Sequence, residues 1–205
     1  MSLLGNVIGY QLVWFTAVWG ASRGLAWPAV IAALLFAAWQ LAISRERGAE
    51  VRLVLVAIAL GVVLDGALAA TDLVRYAAAS PALPPGGAPV WILALWVAFA
   101  LTLNRSLGWL TGKPLVSLLL GAIGGPLAYR AAGKLGAASL SVPRWHGLLA
   151  LAVGWAVATM LLTYLAAAWL RAARASRALP RLPDAHLHAV PLAAPETLIH
   201  PVRRG

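Results

Sequence analysis

The stretch LVLVAIALGVVLDGALAATDL, residues 53–73, decides the fold. A helix needs about 20 mostly apolar residues to cross a hydrocarbon core about 30 Å thick, and in that solvent it satisfies its backbone N–H and C=O groups internally. Ala57, Gly61, Asp65 and Ala69 recur every four positions, so the acid shares a face with small residues that admit a neighbouring helix. Asp65 is therefore expected to point inward. A charge at the bilayer centre costs about 2.5–3.5 kcal/mol on insertion scales, so it must find a partner or keep its proton.

Five more stretches approach that length: residues 3–21, 25–43, 90–107, 115–133 and 147–170. The fifth in chain order, 115–133, is the weakest. It carries Gly121, Gly124, Gly125 and Pro126, which a membrane helix packed among neighbours accommodates. The expected fold is an all-α, polytopic transmembrane helix bundle of about six spans over residues 1–174, followed by a disordered basic tail over 175–205. Composition agrees: 62% of the 205 residues are apolar and 11% charged, with mean hydropathy +0.85, against about half and a quarter in soluble domains. The net charge of +10 would suggest nucleic acid in a soluble protein. Here the cations lie between apolar runs, so no nucleic-acid partner is expected. The chain has no Cys, which excludes disulfides, thiolate chemistry and Cys-ligated metal centres.

Cytoplasmic ends of spans are enriched in Lys and Arg. Six spans place both termini on one side, together with Arg45, Arg47, Arg52, Arg105, Lys113, Arg171, Arg174, Arg177 and Arg181, against Arg23, Arg75, Arg130, Lys134 and Arg144 opposite. This bias expects both termini of a multi-pass membrane protein in the cytoplasm. Were the fifth stretch not to cross, the carboxyl terminus would lie outside. Residues 76–89, rich in Pro and Gly, are expected to form an extended, irregular external connection, a lid or a spacer. The Arg cluster from 171 onward suits anionic lipid headgroups, or simply anchors the last span.

Polar residues within the spans supply the site candidates. Asn6, Tyr10 and Trp14 share a face of the first span, where Gln11 is also a candidate. Asp65 is expected either to accept hydrogen bonds from Gln11 or Asn104, or to act as proton carrier, headgroup ligand or catalytic acid/base. Asp72 and Arg75 suit an i, i+3 ion pair. Arg105 and Lys113 read either as a phosphate grip or as flanking charges. The candidate ligand-binding set is thus Asn6, Gln11, Asp65, Asn104, Arg105 and Lys113, with Asp65 the candidate catalytic residue. His146 reads as interfacial, and His186, His188 and His200 form no convincing metal site. No nucleotide-binding, metalloprotease or serine-hydrolase motif occurs, so no cofactor is expected.

Asn6 with Gln11 and Trp14, Gly61 with Asp65, Thr102-Leu103-Asn104-x-Ser106-Leu107-x-Trp109-Leu110, and Gly124-Gly125-Pro126-Leu127-Ala128-Tyr129 followed by Gly133 and Leu135-Gly136-Ala137 carry a resemblance. Over residues 5–170 the chain resembles the bacterial inner-membrane domain-of-unknown-function family 2878. The resemblance implies a small multi-pass membrane protein and assigns no activity. It also implies a gene neighbourhood of fatty-acid-modifying and flavin-dependent oxidoreductase enzymes, and so a link to membrane-lipid processes. Three functions are expected in turn. The first is a non-catalytic component binding lipid, anionic headgroups or a partner membrane protein. The second is an intramembrane lipid-modifying enzyme using Asp65 as acid/base. The third is a small proton-coupled transporter, against which stand the size and the missing internal repeat.

Overall fold

Helices form over the six apolar stretches, and Gly, Pro and charged residues set their ends. The computed structural model describes residues 3–178, arranged as α1 (Leu3–Ala21), α2 (Trp27–Ala42), α3 (Arg47–Ala70), β1 (Val74–Tyr76), β2 (Ala82–Leu83), β3 (Ala88–Pro89), α4 (Val90–Leu103), a 3-10 turn (Gly108–Leu110), α5 (Pro114–Lys134), β4 (Ala138–Leu140) and α6 (Arg144–Ala178). Pro28 and Pro114 stand in the first turns of α2 and α5, where the missing N–H costs nothing. Asp72, with φ 56°, turns the chain out of α3.

Among the described residues three helices are long and apolar enough to cross a membrane: α3, α5 and α6. Helix α1 has 19 residues, but Asn6, Tyr10 and Gln11 dilute its apolar character. Helices α2 and α4 are apolar and shorter. Helix α4, at 14 residues about 21 Å long, is the central helix, with ten of its residues buried. It packs against α1, α2, α3 and α6, so its ends meet protein rather than lipid. It stops at Leu103, four residues short of the expected end, because the Arg105 and Leu107 amides fold back onto the Thr102 carbonyl.

Polarity is inverted relative to a soluble protein. Leu12, Phe15, Leu55, Val63, Ile123, Leu127, Val153 and Val157 are exposed, while Asn6, Gln40, Glu50, Asp65, Ser117 and Thr159 are buried. The small-residue stripe of α3 faces inward, with Ala57, Gly61 and Asp65 buried and Ala69 half-buried, and Ala94, Ala98 and Thr102, spaced four apart in α4, are buried as well.

At one end of the bundle the Arg177 guanidinium meets Glu46 at 3.1 Å and the Arg45 carbonyl, and Arg105 meets Glu50 at 3.4 Å. At the other, β1 and β4 form an antiparallel pair that sets Val74 opposite Leu140 and Tyr76 opposite Ala138. Helix α5 runs without a break through Pro126 from the first end to the second, so the weakest stretch of the sequence does traverse the bundle. Two expectations change. Residues 76–89 are irregular only in part: turns and coil at 77–81 and 84–87 flank a short β2–β3 pairing, and Ala78 and Ala88 are buried. The last helix continues to Ala178, past the expected boundary at 174. The expected tail beyond it, with Arg181, His186, His188 and His200, lies outside the described residues.

Candidate functional site

Asp65 lies one turn after Gly61 on the buried face of α3, and the glycine makes the site. A Cβ at position 61 would stand 2.4 Å from Cδ1 of Trp96. Only a bare backbone lets that indole lie against α3 and donate its Nε1–H to Asp65 Oδ2 at 2.7 Å. Two phenols complete the cradle. Strand β1 alternates buried, exposed, buried, so Tyr76 turns inward and its hydroxyl donates to Oδ1 at 2.9 Å. The Tyr129 hydroxyl, from α5, donates to the same oxygen. The carboxyl is fully buried.

Aromatic packing extends the cradle. Trp96 stacks on Trp155 of α6 with centroids 4.4 Å apart and planes 12° from parallel, and Phe99 sets its edge to both rings. Tyr76 meets Trp91 edge-on at 6.0 Å. Trp155 seats against α5 because Gly121 and Gly125 face it: Cβ atoms there would lie 2.2 Å from the Trp155 carbonyl oxygen and 2.4 Å from its ring.

The partners expected for Asp65 are thereby corrected. Gln11 is exposed. It lies five residues after the buried Asn6, about 140° further around the helix, and cannot share its face. Asn104 caps the carboxyl end of α4, beside Arg105 rather than Asp65. Asn6 is fully buried as a tie between elements, donating to the Leu101 carbonyl at 3.3 Å and accepting from the Ser106 hydroxyl at 2.6 Å. Arg105 and Lys113 turn to different partners. Arg105 reaches Glu50 Oε1 and the Gln40 carbonyl, both at 3.4 Å. Lys113 is exposed, its ammonium 5.4 Å from the Trp109 ring centroid. Asp72 and Arg75 do form the expected pair, in bidentate geometry. Hydrogen bonds from Arg75 hold the exposed Asp72 carboxyl below its ordinary range and raise the guanidinium in return.

Sequence reasoning named Asp65 and missed Trp96 and Tyr76 as its partners. The Tyr76 signal was the alternation Val74-Arg75-Tyr76. Tyr129 stood in the Gly-Gly-Pro-Leu-Ala-Tyr segment without a role.

Three cavities follow α5 past this cradle. Between α1, α4, α5 and α6 runs an apolar groove of about 450 Å³, bordered by Val7, Tyr10, Phe99, Leu120, Gly124 and Trp155 among others. The Thr159 hydroxyl and the Trp155 indole N–H stand in its wall, buried and without a hydrogen-bond partner. A narrow recess of about 40 Å³ adjoins it, bordered in common by Tyr10, Ala128 and Trp155 and further by Trp96 and Tyr129. Tyr129 and Ala138 also line a cleft of about 420 Å³ at the β1–β4 end, where Arg130, Lys134 and Arg144 stand. Of the Asp65 cradle, Trp96 thus lines the recess, and Tyr129 stands between the recess and the basic cleft. Among the described residues no cluster of His, Asp or Glu suits a metal ion.

Residues 3–161 match the family described as Protein of unknown function (DUF2878). No curated protein and no solved structure matches the chain.

Proposed function

The chain belongs to the DUF2878 family, and from that premise we propose that it is a multi-pass protein of a bacterial inner membrane that binds lipid without transforming it. Six crossings, both termini in the cytoplasm and a basic cytoplasmic tail complete this reading. It is supported by the alternation of helices, the apolar outer surface and the excess of Arg and Lys at the Glu46 end.

The observation that carries lipid binding is the groove between α1 and α5. Its volume lies within the range of ligand pockets, and its walls are apolar, with the Thr159 and Ser106 side chains among the few polar groups along it. Asp65 serves here as scaffold: both of its oxygens are engaged, and two of the three residues they hold, Trp96 and Tyr129, line the recess.

A second reading, an enzyme using Asp65 as acid/base, draws on one feature. The Tyr129 hydroxyl that bonds Asp65 belongs to a side chain lining both the recess and the basic cleft, so a proton has a relay between carboxyl and cavity.

Mass spectrometry of lipid retained by the purified protein tests binding. The wild type is expected to carry lipid that a Gly124→Phe variant lacks, since position 124 borders the groove and has open space around it. Equal retention by both overturns the reading. Lipidomics of a deletion strain separates the two readings. Restoration of the profile by Asp65→Asn supports a scaffold, and restoration by the wild type alone supports acid/base chemistry.

A further inference from the structure

We infer that the cleft framed by Arg130, Lys134 and Arg144 seats the phosphate of an anionic membrane phospholipid, whose chains run along the recess into the groove between α1 and α5. The inference rests on the lipid-binding reading above and deepens it by naming the headgroup class and the residues that select it.

Charge is the first ground. Arg130 and Lys134 stand one turn apart at the end of α5, and Arg144 opens α6 across the same cleft. Like charges at i, i+4 repel. The amino end of a helix already carries partial positive charge, and α6 has no acid in its first turn to offset Arg144. Nothing among the described residues neutralises the three. Every acid there is committed elsewhere: Glu46 to Arg177, Glu50 to Arg105, Asp72 to Arg75, and Asp65 to its cradle. Nor does insertion call for these cations, which gather at the end opposite the Arg-rich one. A phosphate between them would draw charge-assisted hydrogen bonds from two guanidinium forks and an ammonium.

Continuity is the second ground. Val74, Leu140 and Leu148 give the cleft an apolar side, which a soluble phosphate does not need. Tyr129 and Ala138 border both the cleft and the recess, and Tyr10, Ala128 and Trp155 border both the recess and the groove, so the three cavities adjoin in sequence. From Arg144 to Trp155 is about 17 Å along α6, a distance that acyl chains below a headgroup cover.

The test reconstitutes the full chain in phosphatidylcholine nanodiscs containing a minor fraction of phosphatidylglycerol, with retained lipid counted by native mass spectrometry. The wild type is expected to retain phosphatidylglycerol preferentially. The preference should fall about fivefold for each charge removed and on the order of a hundredfold in R130Q/K134Q/R144Q, with phosphatidylcholine retention unchanged. All three side chains are exposed and unpaired, so the variant keeps its fold. Arg23→Gln, at the same end but outside the cleft, should leave the preference intact. An unchanged preference in the triple variant, or an equal loss in Arg23→Gln and Arg144→Gln, overturns the inference. So does displacement of the bound lipid by glycerol phosphate, which would make a soluble phosphate the ligand. Failure of the lipid-binding reading looks different: Gly124→Phe then retains both lipids as the wild type does.

Discussion

Asp65 shows how one polar side chain organises a bundle that apolar burial alone does not drive together. Inside a bilayer helices associate through close packing and interhelical hydrogen bonds, and this carboxyl ties α3 to β1, α4 and α5 at once. Asp65→Leu strands three donors in an apolar interior at about 1–3 kcal/mol each. It should lower resistance to unfolding in mixed detergent micelles by about 3 kcal/mol or more. Asp65→Asn keeps an acceptor for the phenols and turns an amide N–H toward Trp96, so about half that loss is expected. Wild-type stability in Asp65→Leu would refute the scaffold role.

Among the elements, α5 bears the sharpest contrast. Three of its glycines, Gly121, Gly124 and Gly125, lie within five positions, yet they answer to different neighbours. Gly121 and Gly125 meet Trp155, whereas a Cβ at Gly124 meets nothing within 4 Å. Gly121→Leu and Gly125→Leu should therefore separate α5 from α6 and abolish the monodisperse folded fraction in size-exclusion chromatography. Gly124→Leu should fold at wild-type yield. Equal yields for all three would show that the α5–α6 approach is not set by these residues. The same packing explains how Pro126 is carried in an unbroken helix: neighbours that hold the chain on both sides of a proline offset its missing backbone bond.

At the scale of the molecule, the alternation of six helices places residues 44–46 and 104–113 at one end and residues 77–88 and 136–142 at the other. With the charge bias oriented as proposed, reporter fusions in the first two segments should read cytoplasmic and those in the second two periplasmic. The reverse pattern would invert the protein, and the same signal in all four segments would remove the alternation. The basic cleft belongs to the second end, so its predicted headgroup selectivity concerns the outer leaflet.

The apolar stretches, their approximate limits and the inward face of Asp65 were legible in the sequence, because hydropathy and helical period are local properties of consecutive residues. The partners of Asp65 were not. Tyr76, Trp96 and Tyr129 lie 11, 31 and 64 residues from it, and their choice over Gln11 and Asn104 turned on which faces the packed helices present to one another. The β1–β4 pair and the meeting of Arg130, Lys134 and Arg144 around one cleft likewise arose from the approach of two connections distant along the chain. Periodicity tells which way a side chain points, and only assembly of the bundle decides what it meets there.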